Sequence, residues 1–182
     1  MHENELWQVF AQNGEPISGK GAVDDVFDED ETLVMGNAHV WFWKRTNDGV
    51  AVLLQKRSMT KKKSPGFYHI SAAGHIDLDE TPLQAALRET KEEVGIDLDA
   101  SKLFFIHAVR SIKNLQSLLF VYTYELNGDE EFTFDDGEVE FVKWVELGAF
   151  QQMTQEAASH KLIDQGRSYF DPLTETIKRL SA

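Results

Sequence analysis

There is no cysteine in this 182-residue chain, so neither a disulfide nor a catalytic thiol is available to it. No apolar run approaches the ~20 residues that span a bilayer. The N-terminus lacks the basic, apolar and small-residue pattern of a secretory leader. A non-membrane, cytoplasmic protein is the simplest expectation. Basic residues are few, with Lys and Arg numbering 18 against 31 Asp and Glu, and the formal net charge is −13. So acidic a surface repels phosphate backbones, which argues against a nucleic-acid-binding face. No internal repeat or low-complexity linker divides the chain.

What is present supports one ordinary core. At 42% hydrophobic residues, the expectation is a single domain over residues 1–182: an N-terminal extension (1–36), a core (37–150) and C-terminal helices (151–182). The most informative stretch is 74–96, GHIDLDETPLQAALRETKEEVGI. Thr81 as N-cap, Pro82 at the first helical position and Gln84 three residues after the cap form a helix-start signature. Gly95 suits a left-handed C-cap. Leu83, Leu87, Thr90 and Val94 recur at helical spacing and predict one buried stripe. Glu89, Glu92 and Glu93, at i, i+3 and i+4, share the opposite side. Such carboxylates repel by roughly 0.2–0.5 kcal/mol a pair, and near a helix C-terminus the macrodipole disfavours them further. Two readings are open: a solvated acidic face, or a set of hard oxygen ligands for Mg²⁺, with Mn²⁺ as the alternative.

Before that stretch, residues 6–10 read as a short strand, Asn13-Gly14 as a turn, and Gly19 and Gly21 as flexible points. The acidic run 24–31 reads as a solvated loop or short helix, or as the arm of a homodimer. Residues 39–43 and 50–54 flank Asn47-Asp48-Gly49, a hairpin signature. Residues 55–66 carry the basic patch of this acidic chain; Arg57, Lys61 and Lys63 are candidate phosphate contacts, against the plainer reading of a solvated lysine loop. Residues 67–72 form a strand candidate leading into a loop at Gly74. Strands are expected at 103–109, 117–125 and 139–145, and helices at 151–165 and from Asp171-Pro172 to about Leu180. Strands on both sides of a central helix, with helices at the end, give an α/β class: a mixed β-sheet between α-helices.

The spacing Gly74, five residues, Glu80, seven residues, then Arg88-Glu89-Thr90-Lys91-Glu92-Glu93-Val94-Gly95-Ile96 closely resembles the Nudix box. Thr90 stands where an aliphatic residue is usual; on the predicted stripe this reads as a packing change. Further stretches, 5–9, 37–41, 53–58, Pro65-Gly66 and 71–75, resemble the branch that contains isopentenyl-diphosphate isomerase and its hydrolase relatives. The resemblance implies the Nudix fold. It also implies a Mg²⁺ site formed by the Gly74 carbonyl with Glu89, Glu92 and Glu93, Arg88 orienting Glu89 and pairing with Glu80, and a small phosphorylated, nucleotide-derived substrate.

Within that branch the isomerase uses a cysteine before the glycine-histidine pair, where this chain has Ala73. It also uses two glutamates after the box helix, and the matching positions here are Asn114 and Gln116. His39 and His75 would match isomerase metal ligands, or serve as structural or substrate-contacting groups. The expected function is therefore a Mg²⁺-dependent hydrolase cleaving a diphosphate bond in a nucleoside diphosphate-X compound. Alkene isomerisation and a non-catalytic nucleotide-binding regulatory module are the alternatives. A base from outside the helix escapes the pKa depression imposed by a bound cation. Glu138, after Gly137 and before a strand, is that candidate, with Glu140 its neighbour.

Overall fold

The computed structural model describes residues 6–22, 32–134 and 137–182. The acidic run 24–31, expected as a loop, short helix or dimer arm, lies outside the described residues, as do Asp135 and Asp136. The centre is β3, Val34–Thr46, a 13-residue strand. From Val34 to Trp43 it is buried except at the half-buried Asn37, as a strand covered on both faces must be. Alternation still sorts its side chains. Trp41 and Trp43 face a cluster completed by Phe150, Tyr169, Phe170, Leu173 and Ile177. Ala38, Val40 and Phe42 face Ala85, Ala86 and Val94.

One edge of β3 pairs in parallel with β8, Ser117–Glu125, from Met35↔Ser117 to Trp43↔Glu125. The other edge takes three partners in turn, always antiparallel: β1 (Trp7–Phe10), then β6 (Ala72–His75) at residues 37–40, then β4 (Gly49–Arg57) at residues 43–46. β7, Phe104–Arg110, pairs with β8, and β9, Val139–Glu146, pairs with β4. Three α-helices are described: α1 (Pro82–Val94), α2 (Leu147–Gln155) and α3 (Arg167–Ser181). The result is the expected mixed sheet between helices.

Several boundaries differ from the sequence expectation. Residues 16–22, read as flexible for their glycines, form β2, which pairs with β1 across the Asn13-Gly14 turn. The predicted strand over 67–72 is two strands: β5, Tyr68–His69, on β4, and β6 on β3. Gly74 and His75, read as loop, are therefore the end of β6. The helix expected at 151–165 is α2, ending at Gln155; residues 156–166 are turns that bridge to Tyr68. The last helix starts after Gly166 (φ 81°), not at Pro172, which sits inside it. Pro172 lies beyond the first turn, whose amides have no partner within the helix, so it is not an N1 proline and α3 forgoes one amide bond there.

Because β4 and β6 share one edge of β3, they diverge at residues 41–42, and the chain crosses the gap at Ile70-Ser71. Diverging strands strand backbone polar groups. Ser71, fully buried, meets two of them: its Oγ accepts from Phe42 N (3.0 Å) and donates to Leu53 O (2.7 Å). Ser71→Ala is expected to destabilise by roughly 2–3 kcal/mol, since it leaves both groups buried and unpaired. The check is a lower urea midpoint at unchanged slope; a midpoint equal to wild type would show that the gap is satisfied some other way.

Candidate active site

α1 begins as its sequence prescribes. Thr81 Oγ1 accepts from Gln84 N and the Gln84 side chain accepts from Thr81 N, a complete capping box; Gly95 ends the helix at φ 76° with its N–H on Lys91 O. The buried face is Ala85, Ala86, Thr90 and Val94. This corrects the predicted stripe at one end, because Leu83 is 38% exposed. Alanines let the helix lie close to the sheet: the buried face keeps Thr90 and Val94 and takes Ala85 and Ala86 where the pattern had Leu83 and Leu87. Thr90 fits the packing reading: it is buried, and its hydroxyl donates to Ala86 O at 2.8 Å.

The outer side is organised by Arg88. Its Nε and Nη2 donate to Glu80 (3.1 and 2.9 Å), Nη1 donates to Glu89 (2.7 Å) and Glu92 (3.1 Å), and Nη2 also reaches His75 O at 2.9 Å. Asp77 lies 3.5 Å from Nε. Burial alone would favour loss of the Arg88 proton; the Glu80 and Glu89 carboxylates outweigh it and raise the pKa. Glu89 is pushed up to about 7, chiefly by burial, against the pull of Arg88. A Cβ built on Gly74 would come within 2.0 Å of the Glu89 carboxyl carbon. Only glycine lets the β6 backbone come so close to this carboxylate.

Glu93 sits at the mouth of the gap between β4 and β6. Its Oε2 accepts from Ala73 N (2.9 Å) and from the buried Gln55 amide (3.3 Å). Glu89, Glu92 and Glu93 thus turn toward protein donors, and among the described residues no three acidic or imidazole groups form a ready-made cation cage. The donor set nonetheless fits a hard dication: three carboxylates on one helix side, with a backbone approach at Gly74 that a side chain would fill. Glu92, whose side chain is 59% exposed, has room to turn.

The candidate substrate residues cluster on the β4–β5 loop. Lys61 forms an ion pair with Glu138, and Ser58 N donates to Glu138 O. The candidate base is thereby held by a candidate phosphate contact, on the loop side and not on α1. Arg57 Nε donates to Lys63 O at 3.2 Å, so this arginine shapes the loop that carries Lys63. Glu140 lies beside the irregularity where β9 meets Arg57, and is exposed. Asn114 and Gln116 are in the β7–β8 turn, bonded to each other through Gln116 N and Asn114 Oδ1.

The histidines show what sequence reasoning missed. Tyr169 Oη lies 2.9 Å from His39 Nδ1 and accepts from Trp41 Nε1 at 2.8 Å. All three groups are satisfied when the phenol donates to His39 Nδ1, which leaves His39 neutral with its proton on Nε2. Burial first, then His69 and His75, lowers the pKa of His39. His75 stacks on Trp7, with ring centroids 3.9 Å apart. Tyr169 and Trp7 carried no local signal, because each acts across the fold. Gln55 did carry one: it is a buried polar residue ending the apolar run Val50-Ala51-Val52-Leu53-Leu54.

A family model for the NUDIX domain matches residues 36–165. The chain belongs to the NUDIX domain family. An uncharacterised Nudix hydrolase of Clostridium acetobutylicum is 29% identical over 63% of this chain and 65% of its own length. Nudix hydrolase 3 of Arabidopsis thaliana is 40% identical over 42% of this chain, a match covering only 10% of that protein. Isopentenyl-diphosphate Delta-isomerase 2 of Photorhabdus laumondii is 32% identical over 66% of this chain and 71% of its own length. The chain thus spans less than two thirds of the first two relatives. The same fold occurs in DR0079 of Deinococcus radiodurans (TM-score 0.65, 19% identity, 96% and 98% coverage). It also occurs in the NUDIX domain of NrtR from Shewanella oneidensis, solved with ADP ribose (TM-score 0.62, 17% identity, 86% and 99% coverage). No helix among the described residues is long and apolar enough to cross a membrane.

His69 gives this NUDIX domain a predictable acid response. Its pKa falls from 6.5 to about 3, by burial first and then by Arg57 and Lys113. On acidification the unfolded chain takes up this proton before the folded one does. The stability is therefore present above about 6.5 and drains as pH falls toward 3. Relative to His69→Gln, wild type is expected to lose about 1–2 kcal/mol between pH 7 and pH 5. Denaturant titrations of both proteins at the two pH values check it; parallel losses would refute it.

Proposed function

We propose that this chain is a divalent-metal-dependent pyrophosphohydrolase acting on a nucleoside diphosphate linked to a further group X. The observation that carries the reading is the Arg88 cluster. One guanidinium draws Glu80, Glu89 and Glu92 together beside a glycine whose missing Cβ leaves room for the Glu89 carboxylate. Glu89, Glu92, Glu93 and the Gly74 carbonyl are the groups that would hold Mg²⁺ or Mn²⁺. When bound, such an ion lowers the pKa of a coordinated water and neutralises phosphoryl charge.

The chain's own residues divide the remaining work. Arg88 keeps Glu89 and Glu92 in place and ties α1 to the β6 backbone through His75 O. Lys61 and Lys63, with Arg57 shaping their loop, offer cations to the diphosphate. Glu138 accepts the proton of the attacking water at its carboxylate. The Lys61 ammonium paired with it is the group a bound phosphate would draw away.

A nucleotide-derived substrate is supported by analogy with the ADP ribose-bound NUDIX domain of similar fold and with the Ap4A hydrolase of C. elegans (TM-score 0.52). The isomerase reading has relatives in its favour but lacks the chemistry. The chain has no thiol, and the Ala73 position offers a methyl group. A non-catalytic module would have no need of the full acidic trio. The single-domain reading accords with β1 and β2 being strands of the same sheet as the rest.

The test is phosphate-linkage cleavage by purified protein on a panel of ADP ribose, dinucleoside polyphosphates and nucleoside diphosphate sugars, with Mg²⁺ or with EDTA. Mg²⁺-dependent turnover of at least one compound is expected; none, with conversion of isopentenyl to dimethylallyl diphosphate instead, would overturn the proposal. Glu92→Gln is expected to cut turnover at limiting Mg²⁺ by about 100-fold or more, the scale of losing electrostatic stabilisation. Glu138→Gln is expected to lower kcat about 10²–10⁴-fold while leaving the Mg²⁺ activation constant near wild type. Wild-type kcat in Glu138→Gln would move the base to Glu89 or Glu140.

A further inference from the structure

The gap between β4 and β6 has two closures, and they differ in kind. Deep in the sheet, Ser71 joins Phe42 N to Leu53 O and touches no acidic residue in doing so. At the mouth, the closure is Glu93 itself: one oxygen of its carboxylate accepts from β6, through Ala73 N, and from β4, through the Gln55 amide. Gln55 is 3% exposed. A buried amide at the end of the apolar run 50–54 is costly unless its hydrogen bonds are made. Replacing it with an apolar residue would suit the core, so the polar group needs a reason at the site.

We propose that Gln55 is a positioning residue that holds the Glu93 carboxylate across the β4–β6 gap in the orientation from which it binds a divalent cation. This rests on the metal-site reading above. Glu93 stands near the C-terminal end of α1, where the helix dipole and Glu89 and Glu92 all disfavour a fixed carboxylate. Two N–H donors on one oxygen offset that and freeze its side-chain torsions, so the cation meets an ordered ligand. Ala73 N supplies one of these donors from β6, the strand that carries Gly74. Gln55 supplies the other from the strand that continues into the Arg57–Lys63 loop. The amide therefore ties the metal face to the element carrying the candidate phosphate contacts. Removing a partner that orients a metal ligand typically costs 10–100-fold in metal affinity.

The test measures Mn²⁺ alone binding to the full chain, by the loss of the free-ion electron paramagnetic resonance signal, in wild type, Gln55→Met, Gln55→Leu, Ser71→Ala and Glu92→Gln. Amide spectra in EDTA confirm each fold, and methionine keeps the length of glutamine without its donor. Both Gln55 variants are expected to weaken Mn²⁺ binding about 10-fold. Ser71→Ala, though less stable, is expected to stay within about twofold of wild type, since its closure does not touch Glu93. Gln55 variants that bind Mn²⁺ as wild type does, while Glu92→Gln binds weakly, would overturn the Gln55 role and leave the metal site standing. Equal weakening in Ser71→Ala would also overturn it, by making gap closure in general the cause. Absence of Mn²⁺ binding in wild type would overturn the metal site and this proposal together.

Discussion

Everything at the candidate site depends on one guanidinium. Without Arg88, the carboxylates of Asp77, Glu80, Glu89 and Glu92 would face one another at the junction of β6 and α1 without the cation to which all four are paired. With it, Glu80 is fixed below, Glu89 and Glu92 are drawn to one nitrogen, and the β6 backbone is bound through the His75 carbonyl. The planar fork of arginine matters because it addresses several carboxylates at once in fixed directions, which a lysine ammonium could not do. The cluster remains under tension all the same. Burial raises the Glu89 pKa to about 7 despite the adjacent cation, and one positive charge stands against four carboxylates.

That imbalance is built into the sheet. β3 is long enough to take β1, β6 and β4 on one edge, and the handover from β6 to β4 opens a gap where α1 can present its acidic side. The small residues Ala85 and Ala86 bring the helix down onto the sheet. Gly74 then admits the Glu89 carboxylate where a Cβ would exclude it. The N-terminal strand contributes too: Trp7 stacks on His75, and Gln8 N and Leu78 N bond across between β1 and the box loop. The segment that looked like an extension in the sequence braces the loop that enters the site.

The parts legible in the sequence were those written in local spacing. Thr81, Pro82, Gln84 and Gly95 mark α1 to the residue because caps depend on neighbours within a turn. The i, i+3, i+4 carboxylates and the glycine before them carry the family resemblance for the same reason. Tertiary contacts overrode the rest. Leu83 obeys the helical period yet faces solvent, since the sheet selected alanines. Ser71 breaks what looked like one strand, because the chain must cross from the edge of β4 to the edge of β3. Pro172 resembles a helix start but lies within α3, where Gly166 sets the beginning. Tyr169 reaches His39 across 130 positions of sequence, a relation no local pattern records.

The two histidines that isomerase chemistry would assign to metal are engaged elsewhere in this fold. His39 has one ring nitrogen against the Tyr169 phenol, and His75 lies flat against Trp7. The acidic helix side is left as the candidate place for a cation, and on the proposed reading the chain's charge would make that cation central to substrate binding. With a net charge of −13, the protein repels a diphosphate at long range, and the lysines near Glu138 offset this only locally. On the proposed reading, a dication among Glu89, Glu92 and Glu93 would offset most of their negative charge on the side where a phosphate would lie. Binding of the anion and binding of the cation would then be thermodynamically linked, each strengthening the other by the same factor. On that reading, the acidic surplus that destabilises the empty helix is the same surplus that would favour a ligand carrying both phosphate and metal.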